Sequence, residues 1–198
     1  MRIYSTERAK KIVEENASLI DSICTSFCLP PAYLRAVLLM EIPQIDLKDV
    51  LADAVVKMNW LRYSFFHVYT PERHTRNPLR KFDSSTGYGQ IFARVAIEAI
   101  LFAEERDIIE KGSFSAEKLS PQDPDSLRYV WKRLNSDKAF NLSCSALNII
   151  HAACQMTGRV DFGSYNEREK KLIFSRYNGN VKHITAYGEE AYRHYIAM

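Results

Sequence analysis

The sequence predicts an all-α fold in a single domain, and three observations lead to this prediction. Apolar residues recur at intervals of three and four along most of the chain, which is the spacing of amphipathic helices. Only seven glycines and seven prolines occur in 198 residues, fewer than turn-rich β architectures or glycine-loop nucleotide folds use. No internal repeat or low-complexity linker divides the chain, so we expect one unit over residues 1–198.

Three helices are predicted before residue 67. An amphipathic stripe over 5–27 predicts the first. Pro30 and Pro31 suit the start of the second, because the first turn of a helix needs no amide donors; its apolar run, 33–40, predicts burial in the core, and Pro43 ends it. Asp46 is the expected N-cap of the third, Leu47–Phe66, with Asp49 in its first turn.

The remaining elements are a basic loop and five further helices. Residues 67–86 are predicted to be a long loop because they are polar and contain two prolines. Its basic residues are Arg73, His74, Arg76, Arg80 and Lys81. A helix over 91–110 follows, closed by Gly112, and a short helix runs from the turn 121–125 to about 134. The next helix covers 141–156 and is stopped by Gly158. Two shorter helices, 164–176 and 185–196, complete the prediction.

Composition excludes several classes of protein. Hydrophobic residues make up 46% and charged residues 26%, which rules out disordered, collagen-like and disulfide-scaffold chains. A net charge of +3 is too small to indicate a nucleic-acid partner, and no apolar run is long enough to span a membrane. The N-terminus has no secretory signal, so we expect synthesis in the cytoplasm.

The four cysteines form no CxxC pair and no zinc-type cluster with histidine. We therefore expect buried free thiols at Cys24, Cys28, Cys144 and Cys154, and neither a metal site nor a cofactor.

Glu41 is the first candidate for chemistry, because it ends the apolar run 36–40. A carboxyl group at the mouth of a buried helix is partly desolvated, which raises its pKa toward the range of a general acid. The alternative is that Glu41 is merely the first solvated residue after the helix.

The second candidate is the glycine block, residues 83–91, which holds two of the seven glycines directly before a helix. Gly87 and Gly89 would let the backbone approach a ligand closely. Tyr88 offers a flat apolar face with a hydroxyl, and Gln90 offers both a donor and an acceptor, which suits an N-acetylated sugar better than a phosphate. The alternative is a plain loop-to-helix junction capped by Ser or Thr.

The third candidate is the run 176–180, where Tyr177 and Asn178 precede Gly179. Asn-Gly after a helix is also an ordinary turn or C-cap signal, and both interpretations stay open.

These blocks resemble, in order, the signature of the lysozyme-like lytic transglycosylases and goose-type lysozymes. The matching pieces are Glu41, Ser84-x-x-Gly87-x-x-Gln90, Asn141-Leu142 and Tyr177-Asn178-Gly179. The resemblance covers roughly residues 29–195. It implies a lysozyme-like fold whose ligand is the peptidoglycan glycan strand.

The resemblance also implies roles for individual residues. Glu41 would protonate the glycosidic oxygen between N-acetylmuramic acid and N-acetylglucosamine. Asp83 is the position that could place a water in a muramidase, whereas a lytic transglycosylase needs no second carboxylate. The substrate-binding residues would be Ser84, Gly87, Tyr88, Gln90, Tyr177 and Asn178.

Two departures from the family pattern stand out. Ile42 occupies the position where the family usually has Ser, and the interval between Glu41 and the glycine block is long. Residues 47–86 are therefore predicted to be an insertion, a helix plus the basic loop 67–86, where a protein partner could bind.

Two functional classes follow. The first is an enzyme that cleaves the glycan strand, as lytic transglycosylase or muramidase, and reaches the cell wall by a non-standard export route. The second is a non-catalytic helical module that binds glycan or protein.

Overall fold

The computed structural model describes residues 2–70, 77–179 and 182–198, and this part of the chain is mainly helical, as predicted. Its α-helices are α1 (Thr6–Glu15), α2 (Ala17–Ser26), α3 (Pro31–Glu41), α4 (Leu47–Phe66), α5 (Ala93–Glu105), α6 (Pro124–Ser136), α7 (Lys138–Thr157), α8 (Glu167–Tyr177) and α9 (Ala186–Ile196). Short 3-10 helices cover Ile42–Gln44 and Pro78–Arg80.

Helix α7 forms the centre of the fold. Twelve of its 20 residues are buried, and it packs against α2, α3, α5, α6 and α8. An element buried on most sides needs apolar residues around most of its circumference, which the sequence of α7 provides. It begins at an Asp137 cap and ends at Gly158, whose φ of +74° suits a glycine C-cap.

The prediction of one helix over 5–27 is wrong, because the chain forms two helices that break at Asn16. The Asn16 side-chain amide donates to the Ile12 carbonyl at 2.6 Å. Its φ of −109° and ψ of 12° depart from helical values. Asparagine bonds readily to nearby backbone in this way, so the amphipathic stripe continues across the break while the helix does not.

The prediction that Gly112 closes the helix from 91 is also wrong. Helix α5 ends at Glu105, where Asp107 adopts the left-handed conformation with φ 53°. Ile108 N–H then donates to the Ala103 carbonyl at 2.9 Å, and Asp107 N–H donates to the Glu104 carbonyl at 3.4 Å. This is the Schellman pattern with aspartate in the place that glycine usually takes.

Helix α4 has the bounds expected from its sequence. The Asp46 side chain accepts from the amides of Lys48 and Asp49, and the Asp49 side chain accepts from the Asp46 amide, which completes a capping box. The Asn59 side chain on its buried face donates to the carbonyls of Leu79 and Lys81. These bonds hold the end of the basic loop against the helix; Pro71, Arg73, His74 and Arg76 lie outside the described residues.

The cysteines are free thiols, as expected, but not all are buried. Cys24 and Cys144 lie in the core and Cys154 is half-buried. Cys28 is exposed because the chain leaves α2 there with φ 53°, which turns the residue off the buried face.

Candidate active site

Glu41 is the last residue of α3, and its side chain is only 8% exposed. The structure thus differs from the alternative of a solvated residue. Burial raises the pKa of the Glu41 carboxyl from its ordinary value of 4.5 to about 7, although a hydrogen bond from Tyr187 partly offsets the rise. The group therefore changes charge near neutral pH.

The hydroxyl of Tyr187 donates to Glu41 Oε1 at 2.5 Å. Tyr187 lies in the first turn of α9, which begins at a Thr185 cap. Helix α9 reaches Glu41 because Gly188 lets it pack closely on α8, where a Cβ would overlap Ser175 Oγ. Burial and the nearby Glu41 charge raise the pKa of Tyr187 well above its ordinary value, so its hydroxyl stays protonated and donates.

Tyr177 connects the Glu41 region to the glycine block. It is the last residue of α8, and its hydroxyl donates to the Gly89 carbonyl at 2.7 Å. Burial raises the pKa of Tyr177, and the Glu41 charge raises it further.

The glycine block folds as a tight turn closed by paired hydrogen bonds between Thr86 and Ile91, each 3.3 Å. Asn141 at the start of α7 holds this turn: its side chain accepts from the Gly89 amide and donates to the Thr86 carbonyl, both at 2.9 Å. A Cβ at Gly87 would overlap the Asn141 side chain, and φ there is +70°. Glycine is therefore required at 87 by both space and backbone conformation.

Gln90 folds back onto the same turn. Its Nε2 donates to the Gly87 carbonyl at 2.8 Å, and its Oε1 accepts from Ser85 Oγ at 3.3 Å. The amide is thus engaged within the block, while the side chain stays half-exposed.

Within the glycine block, Ser84 and Thr86 point to its buried side and join a polar network with α4 and α6. Both hydroxyls donate to Asp53 of α4, at 2.6 and 2.8 Å, and Asn135 of α6 donates to the same carboxylate at 3.0 Å. Trp131 Nε1 donates to Ser84 Oγ at 2.9 Å. Ser84 therefore supports the position of the block from its buried side.

Asp83 caps helix α5. Its two carboxylate oxygens accept from the amides of Ala93 at 2.9 Å and Arg94 at 3.1 Å, and the residue is 5% exposed. Phe92 occupies the N-cap position and has no polar side chain, so the cap comes from ten residues upstream of Ala93. The junction is capped, but by Asp83 rather than by Ser or Thr.

The structure joins Tyr177 through Gly89 to the glycine block, in which Tyr88 is half-buried, and the Glu41 charge acts on the Tyr177 hydroxyl. It does not bring Asn178 to them by any described contact: Asn178 is the C-cap of α8, and Gly179 follows with φ +94°. The C-cap interpretation of Asn-Gly is thereby confirmed.

Sequence reasoning placed Tyr187 only in a tyrosine-rich C-terminal tail with no role of its own, and gave Asn141 only a place in a motif. Tyr187 lies 146 residues from Glu41 in the chain, and its neighbours Tyr192 and Tyr195 carry an equal signal in sequence. Asn141 could have been found as a polar residue at the start of a buried apolar helix, where an unpaired amide would be costly.

No group of three or more His, Cys, Asp or Glu side chains in the described ranges is arranged to hold a metal ion. Within the same ranges, no helix combines the length and apolar character needed to cross a bilayer. Comparison with protein-family models, with curated proteins and with solved structures yields no match.

Proposed function

We propose that this protein cleaves the peptidoglycan glycan strand with Glu41 as its general acid. The observation that carries the proposal is the buried Glu41 carboxyl, whose pKa is raised to about 7 and whose Oε1 accepts from Tyr187. A carboxylic acid that stays protonated near neutral pH can protonate a glycosidic oxygen, which an ordinary glutamate does poorly. Lysozyme is the best-known enzyme that uses a glutamate in an apolar pocket for this chemistry.

In this proposal the two oxygens of Glu41 have different tasks. Tyr187 donates to Oε1, so the proton of the neutral acid resides on Oε2. Oε2 would transfer that proton to the bridging oxygen between N-acetylmuramic acid and N-acetylglucosamine as the bond breaks. The remaining carboxylate would be stabilised by the Tyr187 hydroxyl.

The glycine block would bind the sugars on either side of that bond. Its turn is held by Asn141 and Tyr177, so its backbone is fixed before substrate arrives. Tyr88 would supply an apolar face for a sugar ring, and the half-exposed Gln90 would lie beside the N-acetyl group.

The placement of Asp83 favours the lytic transglycosylase over the muramidase. Each of its oxygens accepts an amide of α5 and the residue is only 5% exposed, so the carboxylate is engaged in the helix cap rather than open to a water. Without a second carboxylate, the 6-hydroxyl of the N-acetylmuramic acid would attack C1. Its proton would pass to the Glu41 carboxylate, and the product would be a 1,6-anhydro sugar.

The test is digestion of purified peptidoglycan by the wild type, Glu41→Gln and the control Glu98→Gln, with products read by mass spectrometry. Glu98 is an exposed carboxylate on α5 and suits the control. We expect the wild type and Glu98→Gln to release fragments and Glu41→Gln to release almost none. Fragments one water lighter than reducing muropeptides indicate the transglycosylase, and full-mass fragments indicate the muramidase.

A non-catalytic glycan-binding module is the second candidate, and one observation favours it. At the position where the family usually has Ser, this chain has Ile42, which carries no hydroxyl for a substrate and is fully buried in the core. Retention of the folded wild type on peptidoglycan without any released fragment would support this function and refute the first.

A further inference from the structure

Helix α4 has an apolar stripe on its solvent side. Six residues recur at alternating intervals of four and three, the spacing of a helix-pairing seam, and all six are exposed. They are Leu47, Leu51, Ala54, Met58, Leu61 and Phe65. Leu51 is 66% exposed and Phe65 is 71% exposed. The opposite face, with Val56, Trp60 and Tyr63, supplies the contacts to the rest of the fold.

A concave groove runs between this stripe and α6. The cavity has a volume of about 480 Å³. From α4 it is lined by Ala54, Met58 and Leu61, with Trp60 and Trp131 also on its wall. A groove beside an exposed apolar stripe fits an inserted helix better than it fits a flat surface.

The groove is also basic. Lys57 lines it from α4, and Arg128 and Lys132 line it from α6. The ion pairs that form among residues 2–70, 77–179 and 182–198 use other cations, so none of these three is in an ion pair with a described carboxylate. Cations that form no ion pair and surround an apolar groove favour a partner with negative charge at the matching positions.

The charges on α4 argue against a second copy of this chain as the occupant of the groove. The charged residues that flank the stripe on α4 are Lys48, Lys57 and Arg62, all positive. Pairing two α4 helices in either orientation would bring like charges together, which is destabilising.

We propose that the α4–α6 groove binds an amphipathic helix of a partner protein, one whose apolar stripe is flanked by Glu or Asp. The apolar stripes of the two helices would interlock, and the acidic flanks would meet Lys57, Arg128 and Lys132. The site lies on α4 itself rather than on the loop 67–86, and it does not depend on the proposed glycan cleavage.

The test uses a designed three-heptad peptide with Leu at its stripe positions and Glu at both flanks, labelled for fluorescence anisotropy. Two control peptides have Lys at the flanks, or the acidic composition in scrambled order. We expect the wild type to bind the acidic peptide at least about tenfold more tightly than either control, with affinity falling as salt rises.

Three variants assign the binding to the groove. Leu61→Asp should weaken binding by about tenfold or more, whereas Ile196→Asp, a similarly exposed residue at the end of α9, should leave it unchanged. The double change Lys57→Glu, Lys132→Glu should reverse the preference toward the basic peptide. Circular dichroism checks that each variant is folded.

Other outcomes overturn the proposal. Equal binding of all three peptides, or full binding by Leu61→Asp, excludes this groove as the site. Binding to vesicles of phosphatidylglycerol and phosphatidylcholine that Leu61→Asp abolishes, with no peptide preference, would assign the stripe to a lipid surface. A dimer in sedimentation velocity that Leu61→Asp dissociates would assign it to a second copy.

Discussion

Glu41 and Asp83 are two carboxylates buried to nearly the same extent, yet their surroundings are opposite. Glu41 stands at the C-terminal end of α3 and accepts one hydrogen bond from a tyrosine hydroxyl. Asp83 stands at the N-terminal end of α5 and accepts two backbone amides. Helix ends carry partial charge, negative at the C-terminus and positive at the N-terminus.

The difference shows that two carboxyl groups buried to nearly the same extent can have quite different hydrogen-bond partners. At Asp83 the carboxylate accepts two backbone amides at the N-terminus of a helix, and the group is used for structure. At Glu41 a single neutral donor does not compensate for desolvation, and the pKa rises. The sequence offers both Asp83 and Glu41 as candidate catalytic residues, and their hydrogen-bond partners in the structure distinguish the two.

The largest expected effect is on glycan release. Glu41→Gln removes the proposed proton donor and should lower turnover by about 10²–10⁴-fold, the usual range for general acid catalysis. Asp83→Asn, in contrast, should keep turnover per folded molecule within about tenfold, since one cap acceptor survives. Initial rates of fragment release measure both. A loss in Asp83→Asn as deep as that in Glu41→Gln would instead give Asp83 a part in the chemistry.

The next effect is on the pH dependence of stability. The Glu41 pKa is about 7 in the folded state against an ordinary value of 4.5, so the folded state binds more protons between these pH values. Stability is therefore lost as pH rises through this window, by roughly 3 kcal/mol for a difference of about 2.5 pH units. Urea unfolding from pH 4 to pH 8 measures the loss. Glu41→Gln should lack it; an unchanged slope in that variant would assign it to another group.

Removal of the Asp83 cap should cost less. Asp83→Ala leaves the amides of Ala93 and Arg94 without acceptors and should lower the free energy of unfolding by about 1–2 kcal/mol. Asp83→Asn should lose less than Asp83→Ala. Chemical denaturation of both variants at one pH measures the order, and equal losses would mean that the negative charge, rather than the hydrogen bonds, stabilises α5.

The smallest effect concerns the Tyr187 hydroxyl. Its hydrogen bond lowers the Glu41 pKa, so Tyr187→Phe should raise that pKa and move the alkaline limb of the pH–activity profile upward, by under about one unit. Tyr192→Phe, on the same helix, is the matched control. A shift downward, or an equal shift in Tyr192→Phe, would exclude Tyr187 as the group that tunes Glu41.

The sequence predicts local features well where neighbouring residues determine them. The Asp46 N-cap of α4 and the proline start of α3 depend on residues within a few positions. The break at Asn16 escapes prediction because the apolar stripe continues across it. The C-cap at Asp107 escapes prediction because an aspartate takes the position that glycine usually occupies. The contacts of Glu41 with Tyr187 and of Asp83 with α5 depend on tertiary packing, which no local pattern encodes.

The Asp53 network has a consequence for how this chain can change by insertion or deletion. Asp53 lies on α4 and accepts hydrogen bonds from Ser84 and Thr86 of the glycine block and from Asn135 of α6. Excising α4 would leave the hydroxyls of Ser84 and Thr86, on the buried side of the glycine block, without their carboxylate acceptor. Helix α4 can therefore be lost without cost only if Ser84 and Thr86 change with it, because its Asp53 carboxylate is their hydrogen-bond acceptor.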